Sequence, residues 1–208
     1  MTGQRATHAD ASVERLWTGA TVITAIRTIA ALALCLGAAY EEDLTLLVVG
    51  LIVYWVGDIV DGTYARIFDC ETRIGAAIDM FCDRLNCAAF YVGFAFIQPE
   101  MAVPVTVYLL EFMVVDLYLS MAFLAWPIRS PNYFYEVDRR IWRWNWSKPA
   151  KATNSALFAV LLLVTGWWWA GLVIALALLA VKCVSLRWLL QLGMPVPERV
   201  PSAGAGIR

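Results

Sequence analysis

The sequence predicts an all-α, polytopic membrane protein with six transmembrane helices. Three observations carry that prediction. The 208 residues are 61% hydrophobic and only 16% charged, with a mean hydropathy of +0.66, outside the usual range of water-soluble domains. Apolar stretches recur at the roughly twenty-residue length that a bilayer core demands. The basic residues, finally, all fall on one side of the pattern those stretches define.

The elements follow in order. Met1 to Thr18 is polar, without an apolar core ahead of a small-residue cleavage site, so no signal peptide is expected. Within this N-terminal segment, 1–20, Ala11 to Trp17 is expected to form a short interfacial helix with Val13, Leu16 and Trp17 on one side. The spans are then read at about Val22 to Tyr40, Leu44 to Ala65, Ala76 to Ile97, Val103 to Trp126, Thr153 to Gly166 and Ala170 to Leu190.

The joints Glu41-Glu42-Asp43, Gln98 to Ala102 and Trp167-Trp168-Trp169 contain no Lys or Arg. All 16 basic residues lie in the other segments: Arg5, Arg15 and Arg27; Arg66, Arg73 and Arg84; Arg129 to Lys151; and Lys182, Arg187, Arg199 and Arg208. The positive-inside rule then places both termini in the cytoplasm, and adding or removing one helix would scatter the basic residues over both faces.

The connection Pro127 to Ala152 mixes Arg139, Arg140 and Arg143 with Trp142, Trp144 and Trp146, which suits a helix at headgroup level. The tail 195–208, rich in Pro, Gly and Ala, is expected to be mobile. No repeat and no long soluble stretch interrupts the chain, so residues 1–208 form one membrane domain. The net charge of -1 averages an acidic outer face with a basic inner one suited to anionic lipid, and nothing points to nucleic acid. The five cysteines show no metal-ligand spacing and read as free thiols.

The chemistry is concentrated between spans 2 and 3. Residues three or four apart share a helix face, so Asp58, Asp61, Gly62, Ala65 and Arg66 form one stripe. Gly75, Asp79 and Asp83, in steps of four, form another. The short connection Ile67 to Ile74 makes the two helices antiparallel neighbours and brings four carboxylates into one small volume near the cytoplasmic surface. Like charges in a region of reduced dielectric resist ionisation unless a cation compensates them.

Oxygen ligands without His or Cys favour Mg²⁺, Mn²⁺ or Ca²⁺, and Mg²⁺ commonly shares carboxylates with substrate phosphates. Gly62 and Gly75 leave room beside the aspartates, and Arg66 offers a guanidinium suited to phosphate oxygens. Singly, these residues read as solvated caps or packing glycines. Two stripes in phase do not.

The pattern D58-x2-D61-G62-x2-A65-R66-x8-G75-x3-D79-x3-D83 resembles the signature of the CDP-alcohol phosphotransferase family of integral membrane enzymes, with every position matched over 26 residues. The resemblance implies that Asp58, Asp61 and Asp79 bind one or two divalent cations, Mg²⁺ or Mn²⁺. It implies that Asp83 joins the metal site and is the general base, and that Gly62, Ala65, Arg66 and Gly75 contact the CDP moiety. "TVITAIR", Thr21 to Arg27, is similar to the family's Asn-x-x-Thr-x-x-Arg except that Thr21 replaces Asn, so Thr24 and Arg27 are expected to face the donor phosphates. The implied partners are a lipid CDP-alcohol and a polar acceptor alcohol, in a homodimer.

The expected reaction is attack of an acceptor hydroxyl on the β-phosphorus of CDP-diacylglycerol, releasing CMP. The reverse arrangement, a CDP-linked small alcohol donated to diacylglycerol, uses the same signature. A phosphorylated acceptor such as glycerol phosphate or inositol phosphate would suit the cytoplasmic basic residues, with Arg129, Arg139, Lys148, Lys151 and Arg187 as candidates for binding it. Lys148 and Lys151 stand in "SKPAKATN", which loosely resembles the Lys-rich segment of family members that use glycerol phosphate. Glu111 and Asp116 sit inside span 4, where a charge is usually functional or paired: a hydrogen bond across helices, a dimer contact or an acceptor pocket are open readings. A cation-coupled transporter is the rival class, but aspartates at the cytoplasmic edge beside Arg66 fit phosphate chemistry better than a midplane transport site.

Overall fold

A computed structural model describes residues 7–9 and 14–195. Its long elements are helices laid down in chain order: α1 (Gly19–Glu41), α2 (Leu44–Ile67), α3 (Arg73–Ile97), α4 (Pro99–Ala125), the short α5 (Arg139–Asn145), α6 (148–165) and α7 (Trp168–Leu192). Each of the first three starts on a side-chain cap: Thr18 accepts from the Thr21 amide, Asp43 from Thr45 and Leu46, and Thr72 from Gly75. Glu14 takes up two more free amides of α3, those of Arg73 and Ile74. That is why α3 begins three residues ahead of the apolar run expected from Ala76.

Five helices, α1, α2, α3, α4 and α7, are long and apolar enough to cross a bilayer. The expected span Thr153 to Gly166 is the second part of α6, whose first part, Lys148–Ala152, carries two lysines and leads through a widened π turn, Thr153–Leu157, into the apolar Phe158–Thr165. Among the described residues, five helices therefore meet that length and composition, and α6 is not one of them. The interfacial helix expected at Ala11 to Trp17 is not formed where it is described, since Glu14 to Trp17 carry no helix; Ala11 to Val13 and the tail from Val196 lie outside the described residues.

Helix α1 packs against both α2 and α3, and α4 packs against α7. The α1–α2 contact is close because a Cβ on Gly50 would come within 2.7 Å of the Cys35 sulfur. One apolar core, including Cys35, Leu47, Phe90, Phe94, Tyr108 and Phe158, fills the middle of the bundle. A second, with Leu119, Phe123, Phe134, Ile141 and Leu189, seats the 126–146 connection on the ends of α4 and α7. Large apolar side chains such as Ile26, Ile29, Val92, Phe96 and Val173 point outward, as lipid contact requires. All five cysteines are free thiols.

Candidate active site

Helices α2 and α3 are joined by only residues 68–72, so the two acidic stripes end up face to face. One oxygen each from Asp58, Asp61 and Asp79 lies within 4.8 Å of the others. Asp83, one turn further along α3, completes the group through a shared partner, Arg27 of α1. Arg27 donates from Nε to Asp61 at 2.6 Å and from Nη2 to Asp79 at 2.5 Å and Asp83 at 2.9 Å, with Asp58 at 3.6 Å. Thr24, one turn before Arg27, donates to the same Asp61 oxygen at 2.7 Å. Asp61 is 2% exposed, whereas Asp58 and Asp79 remain half-buried and open to a cavity.

Four carboxylates thus face one guanidinium. Tyr54 lies under it, with the Arg27 charge 5.6 Å from the ring centre, and Arg27 Nη1 is buried without a partner. One fixed cation stands against four carboxyl groups, and the donors these would offer to an ion are all oxygens, without His or Cys. The residues present therefore fit Mg²⁺ or Mn²⁺ and do not suit zinc or copper.

The carboxylates form one wall of a cavity of about 390 Å³. Every signature residue lines it: Asp58, Asp61, Gly62, Ala65 and Arg66 from α2, and Gly75, Asp79 and Asp83 from α3. Gly75 is needed for packing, because a Cβ there would meet the capping Thr72 hydroxyl at 2.8 Å. Gly62 is not: a Cβ there would approach only the mobile end of Arg66, at 3.3 Å. Arg66 is exposed and makes its one side-chain bond to Thr63, so its charge is available to a ligand.

The 126–138 connection contributes Ser130, Pro131 and Asn132 to the lining of this cavity. Glu71 accepts from Ser130 at 3.0 Å and from Tyr133 at 2.7 Å. Burial, followed by the bond to Glu71, pushes the Tyr133 phenol above its usual range, which keeps it a donor. Arg129 donates to Asp69 at 2.9 Å and to the His8 carbonyl at 3.0 Å.

The five basic residues considered for the acceptor are thus dispersed. Lys151 lines the cavity and donates to Asn132. Arg129 is turned to Asp69 and His8, while Arg139, Lys148 and Arg187 are exposed and stand outside the cavity lining. Thr24 lines the cavity, but Arg27 sits behind the carboxylates, so its charge is turned to them and not outward.

Sequence reasoning missed this last arrangement; for Asp116 the open reading of a bond across helices is the one observed, with partners that the sequence had not named. Lys182, grouped with the cytoplasmic basic residues, is 1% exposed and donates to Asp116 at 2.5 Å; Arg84 pairs with the second oxygen of the same carboxylate. The signal was present, since span 4 holds two acidic residues, Glu111 and Asp116, while Arg84 in span 3 and Lys182 in span 6 have no acidic residue three or four positions away in their own helix.

A family model, CDP-alcohol phosphatidyltransferase, matches residues 17–184, from the start of α1 to well into α7. No curated protein and no solved structure matches the chain. With eight signature residues gathered around one cavity and the match extending over most of the sequence, the chain belongs to the CDP-alcohol phosphatidyltransferase family.

Proposed function

We propose that the protein transfers the phosphatidyl group of CDP-diacylglycerol to the hydroxyl of a polar acceptor alcohol, releasing CMP. Family membership supports transfer from a CDP-alcohol. The observation that carries the reading is the convergence of Asp58, Asp61, Asp79, Asp83 and Arg66 on a cavity large enough for a nucleotide head group.

In this reading the pyrophosphate lies along Gly62, Ala65 and Arg66, where absent side chains let it approach α2 and the guanidinium meets its oxygens. Asp58, Asp61, Asp79 and Asp83 hold the divalent ion, which when bound supplies charge neutralisation for the pyrophosphate and for the departing CMP. Arg27 and Thr24 hold Asp61 in place from behind. Asp83 takes the proton of the acceptor hydroxyl as its oxygen bonds to the β-phosphorus and the bond from that phosphorus to the bridging oxygen breaks, the electron pair leaving with CMP. Lys151 is the basic residue best placed to meet an anionic acceptor.

The same reading takes α6 as a further crossing, giving six spans with both termini cytoplasmic and the protein as a homodimer. The span count and orientation are supported by Arg66, Arg73, Arg129 and Lys148 at one set of helix ends and by Glu41, Glu42, Asp43 and Trp167 at the other; the homodimer follows from the family resemblance alone.

Purified protein with Mg²⁺ and CDP-diacylglycerol is expected to release CMP when one of a panel of alcohols, including glycerol phosphate and inositol phosphate, is added. A chelator should stop the reaction, and Asp83→Asn should abolish it in a protein that still folds. Near-normal turnover by Asp83→Asn would remove Asp83 from its role. Release of CMP only when diacylglycerol is offered a CDP-linked small alcohol would reverse donor and acceptor.

A further inference from the structure

Beyond the four aspartates, the interior holds a second charged group that the reaction as described does not use. Asp116 of α4 is 7% exposed and binds Arg84 of α3 through Oδ2 and Lys182 of α7 through Oδ1. Ser120, one turn on, completes the cluster within 3.4 Å of both Arg84 and Asp116. The α4 backbone is widened into a π turn over Glu111–Asp116, ending on this carboxylate. Such turns insert a residue, re-aim the side chains that follow and recur at functional sites.

Stability does not explain the cluster. A buried ion pair loses about as much in desolvation as it recovers in attraction, and its replacement by apolar side chains of similar size is often neutral or stabilising. Its position does explain it. Arg84 follows Asp83 directly, and on a helix consecutive residues point about 100° apart. At this one turn, α3 is therefore gripped on two sides: Asp83 by Arg27 of α1, and Arg84 by Asp116 of α4. Arg84 and Asp116 line the same cavity as the aspartates; Lys182 does not, and reaches it only through Asp116.

We infer that Asp116 is a positioning residue for the transfer reaction: with Lys182 behind it, it clamps Arg84 and so fixes the rotation of α3 that aims Asp83 into the cavity. This rests on the proposed reaction, in which Asp83 receives the acceptor proton. A clamp of this kind serves the reacting geometry and not donor binding, so its loss lowers kcat and leaves KM for CDP-diacylglycerol in place.

The test compares the unaltered protein with Lys182→Met and with the triple replacement Arg84→Met, Asp116→Leu, Lys182→Met, in detergent with Mg²⁺, CDP-diacylglycerol and the acceptor that supports turnover. The triple variant is expected to unfold at or above the temperature of the unaltered protein while kcat falls about a hundredfold and donor KM stays within about threefold. Lys182→Met, which lies outside the cavity lining and reaches it only through Asp116, is expected to lower kcat about tenfold at unchanged KM. Full kcat in the triple variant would overturn the inference. So would a triple variant that does not fold, since the cluster would then be a stability element, or a raised KM at constant kcat, since Arg84 would then bind the donor. No CMP from the unaltered protein with any donor and acceptor would instead sink the proposed reaction itself.

Discussion

Arg27 makes it possible to collect four carboxylates between two membrane helices. Its guanidinium, with the side chain 3% exposed, reaches Asp61, Asp79 and Asp83 at hydrogen-bond distance and Asp58 at 3.6 Å. Removing one partner of a buried ionic group is costly because the others are left unpaired, so Arg27→Met is expected to cost about 3 kcal/mol of stability. A divalent cation binding the same carboxylates offsets part of that loss, and binding to the folded state alone stabilises by an amount that grows with the logarithm of the ligand concentration relative to Kd. Mg²⁺ should therefore raise the unfolding temperature more in Arg27→Met than in the unaltered protein. Thermal unfolding in detergent with and without Mg²⁺ measures this; an equal Mg²⁺ response in both proteins would mean that Arg27 and the metal site are independent.

The helices set these residues at their distances, and glycines decide how closely two of them approach. A Cβ on Gly57 of α2 would lie 2.6 Å from both Cβ and Cδ of Arg27, so Gly57→Ala pushes the guanidinium off the carboxylates. Overpacking of this kind costs about 1–3 kcal/mol, and CMP release should fall with it. Gly37→Ala of α1 is the control: its Cβ would meet only a Leu46 methyl at 3.9 Å, and in a helix interior the exchange gains about 0.5–1 kcal/mol. Opposite shifts in unfolding temperature are expected from the two variants. The same shift from both would contradict the close approach of α1 and α2 at Gly57. Much of this scale was legible in the sequence, because apolar run length and the phase of the Asp58–Asp61 and Asp79–Asp83 stripes follow from helix geometry alone. What was not legible depends on neighbours far along the chain. The early start of α3 rests on Glu14, and the π turn at Glu111–Asp116 leaves no mark in composition.

At the scale of the molecule, the buried ion pairs among the described residues form two groups on either side of α3. Arg27 with its four carboxylates lies toward α1 and α2; Arg84, Asp116 and Lys182 lie toward α4 and α7. The first group was half visible in the sequence: its acidic members stood out as a signature, but its basic member looked like a residue for the substrate. The basic residues around the cavity show the same limit in reverse. Sequence counts Arg129, Arg139, Lys148 and Arg187 as one positive surface, yet one is bound to Asp69 and three are exposed outside the cavity lining, because charge is written in composition and placement is not. The central claim is that carboxylates of α2 and α3 jointly hold the divalent ion on which CMP release depends. Titration of Mn²⁺ into the purified protein, followed by electron paramagnetic resonance beside an assay of CMP release, addresses it directly. Saturable binding in the unaltered protein, lost in Asp79→Asn together with CMP release, is the expected result; an Asp79→Asn protein that binds Mn²⁺ as tightly and releases CMP as fast would contradict it.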